Sequence, residues 1–296
     1  MNEKALKSYK SKLVDTLASF DAFCSNHALR YFACSGTAIG AIRHKGFIPW
    51  DDDVDVYMPR SDYDRLLSLR HLLNGTNYTV KSLGDKEYIY AFAKYYDITT
   101  TLVETDTFPN CVIGVYVDVF PLDEVSGSFE EIYEKKNIYS VEYRHFQDTY
   151  LKISKRMILS CLYHRDFMRL KKLFSLLLMS SQRKMIERSK FLQIEAEWSK
   201  EKGNLVMTHS CIYPLEKELF PKSWFDDYIY VDFENIKIRL SNHYDEYLTH
   251  LFGDYMTPPP KENRVSDHSH FYLNLKEGLV ATELKKRIKK GERLVY

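Results

Sequence analysis

Four carboxylates fall within five residues at Asp51-Asp52-Asp53-Val54-Asp55, and Val56 follows them. Such a stretch is hard to fold, because like charges along a strand repel one another. Side chains alternate faces along an extended chain. A strand over Asp51–Tyr57 therefore puts Asp51, Asp53 and Asp55 on one side, and Asp52, Val54 and Val56 on the other. The valines are expected in a core, with Asp53 and Asp55 facing a cleft. The Cα atoms of Asp53 and Asp55 then lie about 7 Å apart, within reach of one or two shared cations. Aligned carboxylates without a cation resist joint ionisation. Oxygen donors of this kind suit hard ions, so Mg²⁺ (or Mn²⁺) is the expected cofactor rather than zinc. The plain alternative is a calcium-like surface loop or a solvated acidic turn. The flanking valines and a neighbouring phosphate-type loop weigh against it.

A second acidic position lies in Val115–Phe120, where Asp118 stands alone among β-branched and aromatic neighbours. A lone carboxylate in an apolar strand needs a metal, an arginine or a backbone donor. Asp118 is read as a further metal ligand or as the general base, and Asp123, nearer a turn, as structural. Upstream, Ser35-Gly36-Thr37 separates a short strand from a short helix. That arrangement presents free N–H groups at a helix N-terminus, which attract anions. Gly36 lets a phosphate approach the backbone closely. Arg43 and Lys45 are expected to add positive charge against phosphate oxygens, while His44 is read as structural. Lys94, inside Phe92-Ala93-Lys94-Tyr95, either reaches a phosphate or snorkels to solvent. Tyr88, Tyr90, Tyr95 and Tyr96 are candidates for an aromatic cage around a quaternary ammonium. Tyrosines at alternate strand positions are equally the pattern of a core.

The organisation around these residues is mixed α/β (α+β). Leu6, Tyr9, Leu13, Leu17 and Phe20 recur at helical steps over residues 4–28. Arg60–Leu73 is a second amphipathic helix. Strands are expected at Arg30–Cys34, Tyr78–Leu83, Tyr88–Tyr95, Thr99–Glu104 and Val112–Phe120, the last ended by Pro121. Residues 128–200 contain no proline and no glycine and read as several helices. A hairpin is expected around Glu234-Asn235, then helices at Tyr244–Phe252 and Leu284–Lys290. The chain is divided accordingly into a catalytic core at 1–125, a helical insert at 126–204 and a C-terminal lobe at 205–296 that completes the site.

Lys and Arg number 42 against 41 Asp and Glu, a net charge of +1 that suggests no nucleic-acid partner. The five cysteines, Cys24, Cys34, Cys111, Cys161 and Cys211, are odd in number and contain no Cys-x-x-Cys, so neither a disulfide framework nor a zinc knuckle fits. The N-terminus shows no apolar signal segment, and the run Leu173–Met179 is too short to span a bilayer. A cytoplasmic protein is expected. Between Lys152 and Lys190 eleven Lys/Arg face only Asp166 and Glu187. This basic amphipathic stretch is read either as a solvated helical face or as peripheral contact with an anionic membrane at its inner face.

Strand, Gly-Thr, helix, Asp-h-Asp-h and a later h-Asp-h (h for apolar) resemble the polymerase-β-like nucleotidyltransferase superfamily. The fuller string Ser35–Val56, with Val117-Asp118-Val119-Phe120-Pro121-Leu122-Asp123, resembles the LicD family in particular. Tyr244–Leu248 and Phe252–Met256 are similar to its tail; Phe252 stands where the family often has tyrosine. The similarity is close over residues 30–123 and looser over 213–268. It implies a nucleotidyltransferase-like mixed sheet. It implies an enzyme that moves a phospho-alcohol from a CDP-activated donor to a hydroxyl of a cell-surface glycan or lipid-linked oligosaccharide, such as lipopolysaccharide or teichoic acid. Phosphocholine from CDP-choline is the best-known case, and the relatives fukutin and fukutin-related protein use CDP-ribitol. Asp53, Asp55 and Asp118 are then expected as catalytic and, with Asp51, as metal ligands. Ser35, Gly36, Thr37, Arg43, Lys45 and Lys94 are expected to bind substrate. A CDP-ribitol or CDP-glycerol transferase, a nucleotidyltransferase using a nucleoside triphosphate, and a non-enzymatic scaffold are the alternatives.

Overall fold

Tyr9, Leu13, Leu17 and Phe20 line one side of helix α1 (Glu3–Asn26), and all four are buried. They do so because three- and four-residue steps stack side chains on one helix face. The structure, a computed structural model, describes residues 3–104, 111–210, 213–264, 270–292 and 294–295. Cys211 and residues 265–268 of the tail lie outside them. Two units result, one from Met1–Ser126 with Glu201–Tyr296 and the other from Gly127–Lys200. Residues from Glu201 onward thus share a unit with the N-terminal part.

After α1 come β1 (Phe32–Ala33), α2 (Ser35–His44), β2 (Asp55–Pro59), α3 (Arg60–Leu69), β3 (Tyr78–Lys81), β4 (Ala93–Asp97), β5 (Thr101–Glu104) and β6 (Tyr116–Val125). A mixed sheet runs β1-β2-β6-β4-β3, with β2 and β6 parallel and the other neighbours antiparallel. Its register sets Asp55 opposite Asp118, Asp118 opposite Lys94, and Lys94 opposite Lys81. Paired residues share a face and neighbouring strands lie about 4.8 Å apart, so two acids and two lysines form one transverse row.

Several strand limits differ from expectation: the strand expected at Tyr88–Tyr95 is Ala93–Asp97, the one at Arg30–Cys34 shortens to Phe32–Ala33, and the one at Val112–Phe120 starts at Tyr116. Regular strand begins at Asp55 rather than Asp51, although the alternation of half-buried Asp51, Asp53 and Asp55 with buried Asp52, Val54 and Val56 holds throughout. Strand β6 runs past Pro121 to Val125. Asp118 donates its N–H to Val54 on the β2 side, so by alternation position 121 faces the other side. There β4 pairs only as far as Val119 and the next partner begins at Asp123. A proline's missing N–H is tolerated in such a gap.

The second unit is helical: α4 (Phe129–Asp148), α5 (Lys155–Tyr163), α6 (Phe167–Leu177) and α7 (Ser181–Trp198). Ser128 and Glu131 form a capping box at the start of α4, satisfying backbone donors that the first turn leaves over. Tyr139 and Phe146 of α4 pack on Phe191 of α7 at ring distances of 5.2 and 5.1 Å.

The chain re-enters the first unit through β7 (Leu205–Met207), antiparallel to the end of β6. Then follow α8 (Leu215–Glu218), β8 (Phe220–Pro221), the hairpin β9 (Tyr228–Phe233) and β10 (Ile236–Ser241), and α9 (Tyr244–Phe252). β11 (His270–Asn274) pairs antiparallel with β5 and, after α10 (Ala281–Lys289), parallel with β12 (Leu294–Val295). The hairpin turns at Glu234, which takes φ 53°.

Candidate active site

Asp55 is clamped through its backbone. Its N–H donates to Thr37 Oγ1 at 2.9 Å, and its carbonyl accepts from the Cys34 N–H at 3.0 Å. The buried Thr37 hydroxyl thus fixes the first residue of β2 against the first turn of α2. Ser35 opens that turn in the left-handed region at φ 47°, costly for a residue with a Cβ. Its N–H donates to Tyr247 Oη of α9 at 3.0 Å, so the late helix supports the conformation. Gly36 leaves room for what lies over it: a Cβ there would stand 2.3 Å from Asp51 Oδ2. The anion at the start of α2 is therefore a carboxylate of the acidic stretch itself, where backbone donors and the helix dipole favour negative charge.

Asp118 is met from the next strand. Lys94 Nζ lies 2.7 Å from Asp118 Oδ1 and 3.7 Å from Glu104. Lys94 is only 1% exposed, so it neither snorkels to solvent nor extends towards a phosphate here. Its ammonium sits 3.4 Å from the Tyr116 ring centroid, 4.6 Å from Tyr90 and 5.4 Å from Phe92. Tyr90 and Tyr116 both donate hydroxyl hydrogens to Glu104. Burial works to lower the Lys94 pKa, but Asp118 and Glu104 outweigh it and hold it above its ordinary value. The aromatic box in this unit is thus filled by the chain's own cation. Of the four tyrosines named for a cage, only Tyr90 belongs to it. Tyr95 packs on Phe20 and Tyr78 in the core, Tyr88 donates to the Phe92 carbonyl, and Tyr96 lines a separate pocket with Arg70, Lys81 and Asp85.

Arg43 and Lys45 lie at the opposite end of α2 from Gly36, about 10 Å along the axis. Arg43 donates to the Tyr255 carbonyl at 2.7 Å and to His44. Burial and the nearby Arg264 both depress its pKa. Arg264 lies over the Trp50 ring at 5.2 Å. Lys45 caps the helix in the left-handed conformation, and its carbonyl accepts from Glu234. Asp123, 1% exposed, is bound bidentately by Arg60, with Nη2 to Oδ2 at 2.7 Å, and so serves packing.

Residues 28–171 match the family described as LicD/FKTN/FKRP, nucleotidyltransferase domain. A relative from Haemophilus influenzae, lipopolysaccharide cholinephosphotransferase LicD, is 28% identical over 273 residues, covering 90% of this chain and 97% of the relative. Residues 28–171 carry a LicD-family domain. Two uncharacterised proteins match shorter stretches. One from Rickettsia typhi is 26% identical over 42% of this chain and 40% of its own, and one from Rickettsia prowazekii is 29% identical over 27% and 32%. The LicD-family match spans the Ser35–Thr37 turn, the acidic stretch, Lys94 and Asp118.

Four neighbours of the acids went unforeseen. Glu104 ends β5 and holds both tyrosine hydroxyls of the Lys94 box. Tyr9 reads as one more apolar position on α1, yet burial and the charges of Asp52 and Asp53 raise its pKa well above the usual value. His270, opposite Glu104 in the β5–β11 register, stacks edge-on against Tyr9 at 5.0 Å. Only pairing between distant segments brings them here. Lys10 is a fourth. It donates to the carbonyls of Ile48 and Pro49, and burial lowers its pKa against the pull of Asp51 and Asp52.

As metal donors, Asp53, Asp55 and Asp118 offer carboxylate oxygens suited to a hard cation. Asp55 and Asp118 are neighbours on adjacent strands, where like charges repel, and Lys94 offsets the charge of Asp118. The chemistry of these donors suits a divalent metal. In the helical unit Glu142, His145 and Glu187 bring donor atoms within 4.8 Å of one another. There Glu142 is bound by Lys190 at 2.6 Å and Glu187 faces Arg183, a network that balances its own charge. Among the described residues no helix is long and apolar enough to cross a membrane.

Proposed function

We propose that this chain transfers phosphocholine from CDP-choline to a hydroxyl of a cell-surface glycan, with Mg²⁺ or Mn²⁺ held by Asp53, Asp55 and Asp118 and assisted by Asp51. The observation that carries the reading is Asp55 beside Asp118 on parallel strands, at the foot of the Ser35–Thr37 turn. The likeness to a lipopolysaccharide cholinephosphotransferase along nearly its whole length supports phosphocholine and a lipopolysaccharide-type acceptor. We place the reaction in the cytoplasm, at the inner face of the membrane, where lipid-linked acceptors are presented.

A divalent cation at these carboxylates neutralises charge on the donor phosphates and on the departing nucleotide. The chain's own groups do the rest. Backbone N–H groups of the α2 turn, which Asp51 covers in this structure, receive a phosphate oxygen once that carboxylate swings away. Thr37 holds Asp55 in place. Asp118 accepts the proton of the acceptor hydroxyl, whose oxygen bonds to the phosphocholine phosphorus as the bond from that phosphorus to CMP breaks. Lys94 holds the Asp118 carboxylate in position through its ion pair. Arg43, Lys45 and Arg264 carry the positive charge available to the nucleotide end of the donor. Catalysis of this type is mainly positioning and electrostatics.

Turnover is measured with Mg²⁺ against CDP-choline, CDP-ribitol, CDP-glycerol and CTP, scoring CMP and pyrophosphate separately. The expected result is CMP from CDP-choline, reduced roughly a thousandfold or more by Asp55→Asn in a folded protein. CMP from a polyol donor alone would replace phosphocholine by a polyol phosphate. Pyrophosphate from CTP would move the chain to nucleotidyl transfer, and full activity in Asp55→Asn would remove the acidic row from the mechanism.

A further inference from the structure

Within the helical unit, α5 and α6 turn a large apolar surface outward. Tyr163, Met168 and Leu178 are 84%, 87% and 85% exposed. Along α6, Phe167, Lys171, Phe174 and Leu178 follow at steps of four, three and four, and so lie on one side of the helix. All four are exposed, while Leu173 and Leu176 on the other side are buried. Helix α5 repeats the pattern: Lys155, Leu159 and Leu162 follow at steps of four and three, all exposed, with Cys161 buried behind them. A soluble surface seldom leaves so many large apolar side chains together.

The charge around them says what covers this face. Residues 152–178 hold seven Lys/Arg against Asp166 as their single carboxylate. Each outward stripe carries one lysine among its apolar residues, and Arg165 and Arg169 flank the turn between the helices. Apolar side chains entering the acyl boundary, with cations at headgroup level, are what an interfacial helix requires. A second copy of this face would bring like charges together, which disfavours self-association. We propose that the α5–α6 hairpin docks on an anionic bilayer, with Phe167, Phe174, Leu178, Leu159 and Leu162 inserted and the lysines and arginines on acidic headgroups. This inference stands on the helical unit alone and does not depend on the transferase reading.

Co-sedimentation of the full chain with vesicles tests it, using phosphatidylcholine alone and phosphatidylcholine mixed with phosphatidylglycerol. The chain is expected to pellet with the mixed vesicles and remain in solution with the neutral ones, more weakly as salt rises. Phe167→Ser, Phe174→Ser and Leu178→Ser together are expected to lower partitioning by roughly tenfold or more. Lys155→Glu and Lys171→Glu are expected to lower it by about fivefold or more each. These five side chains are exposed, so circular dichroism of the variants is expected to match the parent. Equal pelleting with both vesicle types, or with neither, would overturn the proposal. So would a concentration-dependent dimer in sedimentation velocity that the serine variant abolishes.

Discussion

Lys94 is an ammonium enclosed by three aromatic rings and two carboxylates, with almost no contact with water. Removing such a charge leaves its partners buried and uncompensated. Lys94→Met is therefore expected to destabilise the fold by about 3–5 kcal/mol, read from urea unfolding. Its pH signature has a fixed sign. Asp118 and Glu104 raise its folded pKa above the unfolded value of 10.5. The stability it contributes is then fully present below 10.5 and is lost only as pH rises through the still higher folded value. Unfolding free energy between pH 7 and 9 should carry no Lys94-dependent slope; a fall there that Lys94→Met removes would contradict the pairing. Gly36 is the other residue with a sharp consequence. Gly36→Ala puts a methyl against the Asp51 carboxylate, a side-chain end that can swing aside. The variant is expected to fold with a near-normal melting curve and to lose most activity, because the methyl fills the space in which the α2 turn meets an anion.

Among the elements, α2 and β2 are joined by one side-chain hydrogen bond that a conservative change can remove. Thr37→Val leaves the Asp55 N–H without its acceptor and is expected to cost about 1–3 kcal/mol in chemical denaturation, with Thr37→Ser restoring most of it. At the start of α4, Ser128→Ala removes one half of the capping box. It is expected to cost about 1 kcal/mol, read as a small fall in helical stability. This is also the scale at which the sequence was most readable. Helices α1, α3 and α9 and the β9–β10 hairpin follow from local periodicity and turn residues, which act within a few positions. The acidic alternation at 51–56 was legible for the same reason, while the kinship of Asp55 with Asp118 rested on the family resemblance. Strands β7, β8 and β11 were not, because two to five residues carry no pattern of their own and exist only through a distant partner. Glu104, Tyr9, Lys10 and His270 were hidden likewise: each looks ordinary in its own segment and gains meaning only from the β5–β11 register and the seat of α1. Lys94 was singled out correctly as unusual, but nothing local distinguished a phosphate from a carboxylate as its partner.

Across the whole molecule, the chain leaves the first unit after Ser126 and returns at Glu201. The two ends are held together: the Ser126 N–H and Oγ both donate to Glu201 Oε1, at 2.9 and 2.7 Å. Lys202 and Gly203 both bond Glu124, and the β6–β7 ladder continues the closure. Replacing residues 127–200 by a short Gly/Ser linker is therefore expected to leave the near-UV circular dichroism and denaturation midpoint of the first unit close to those of the full chain. The same excision is expected to abolish pelleting with anionic vesicles. With Asp123–Val125 zipped to Leu205–Met207, whatever lies between enters the fold as a loop whose ends are already met. Doubling its length costs only about 0.6 kcal/mol in closure entropy. The ladder therefore works as a socket: a different helical cargo can be spliced between these two strands, while the row of charges on the sheet stays untouched.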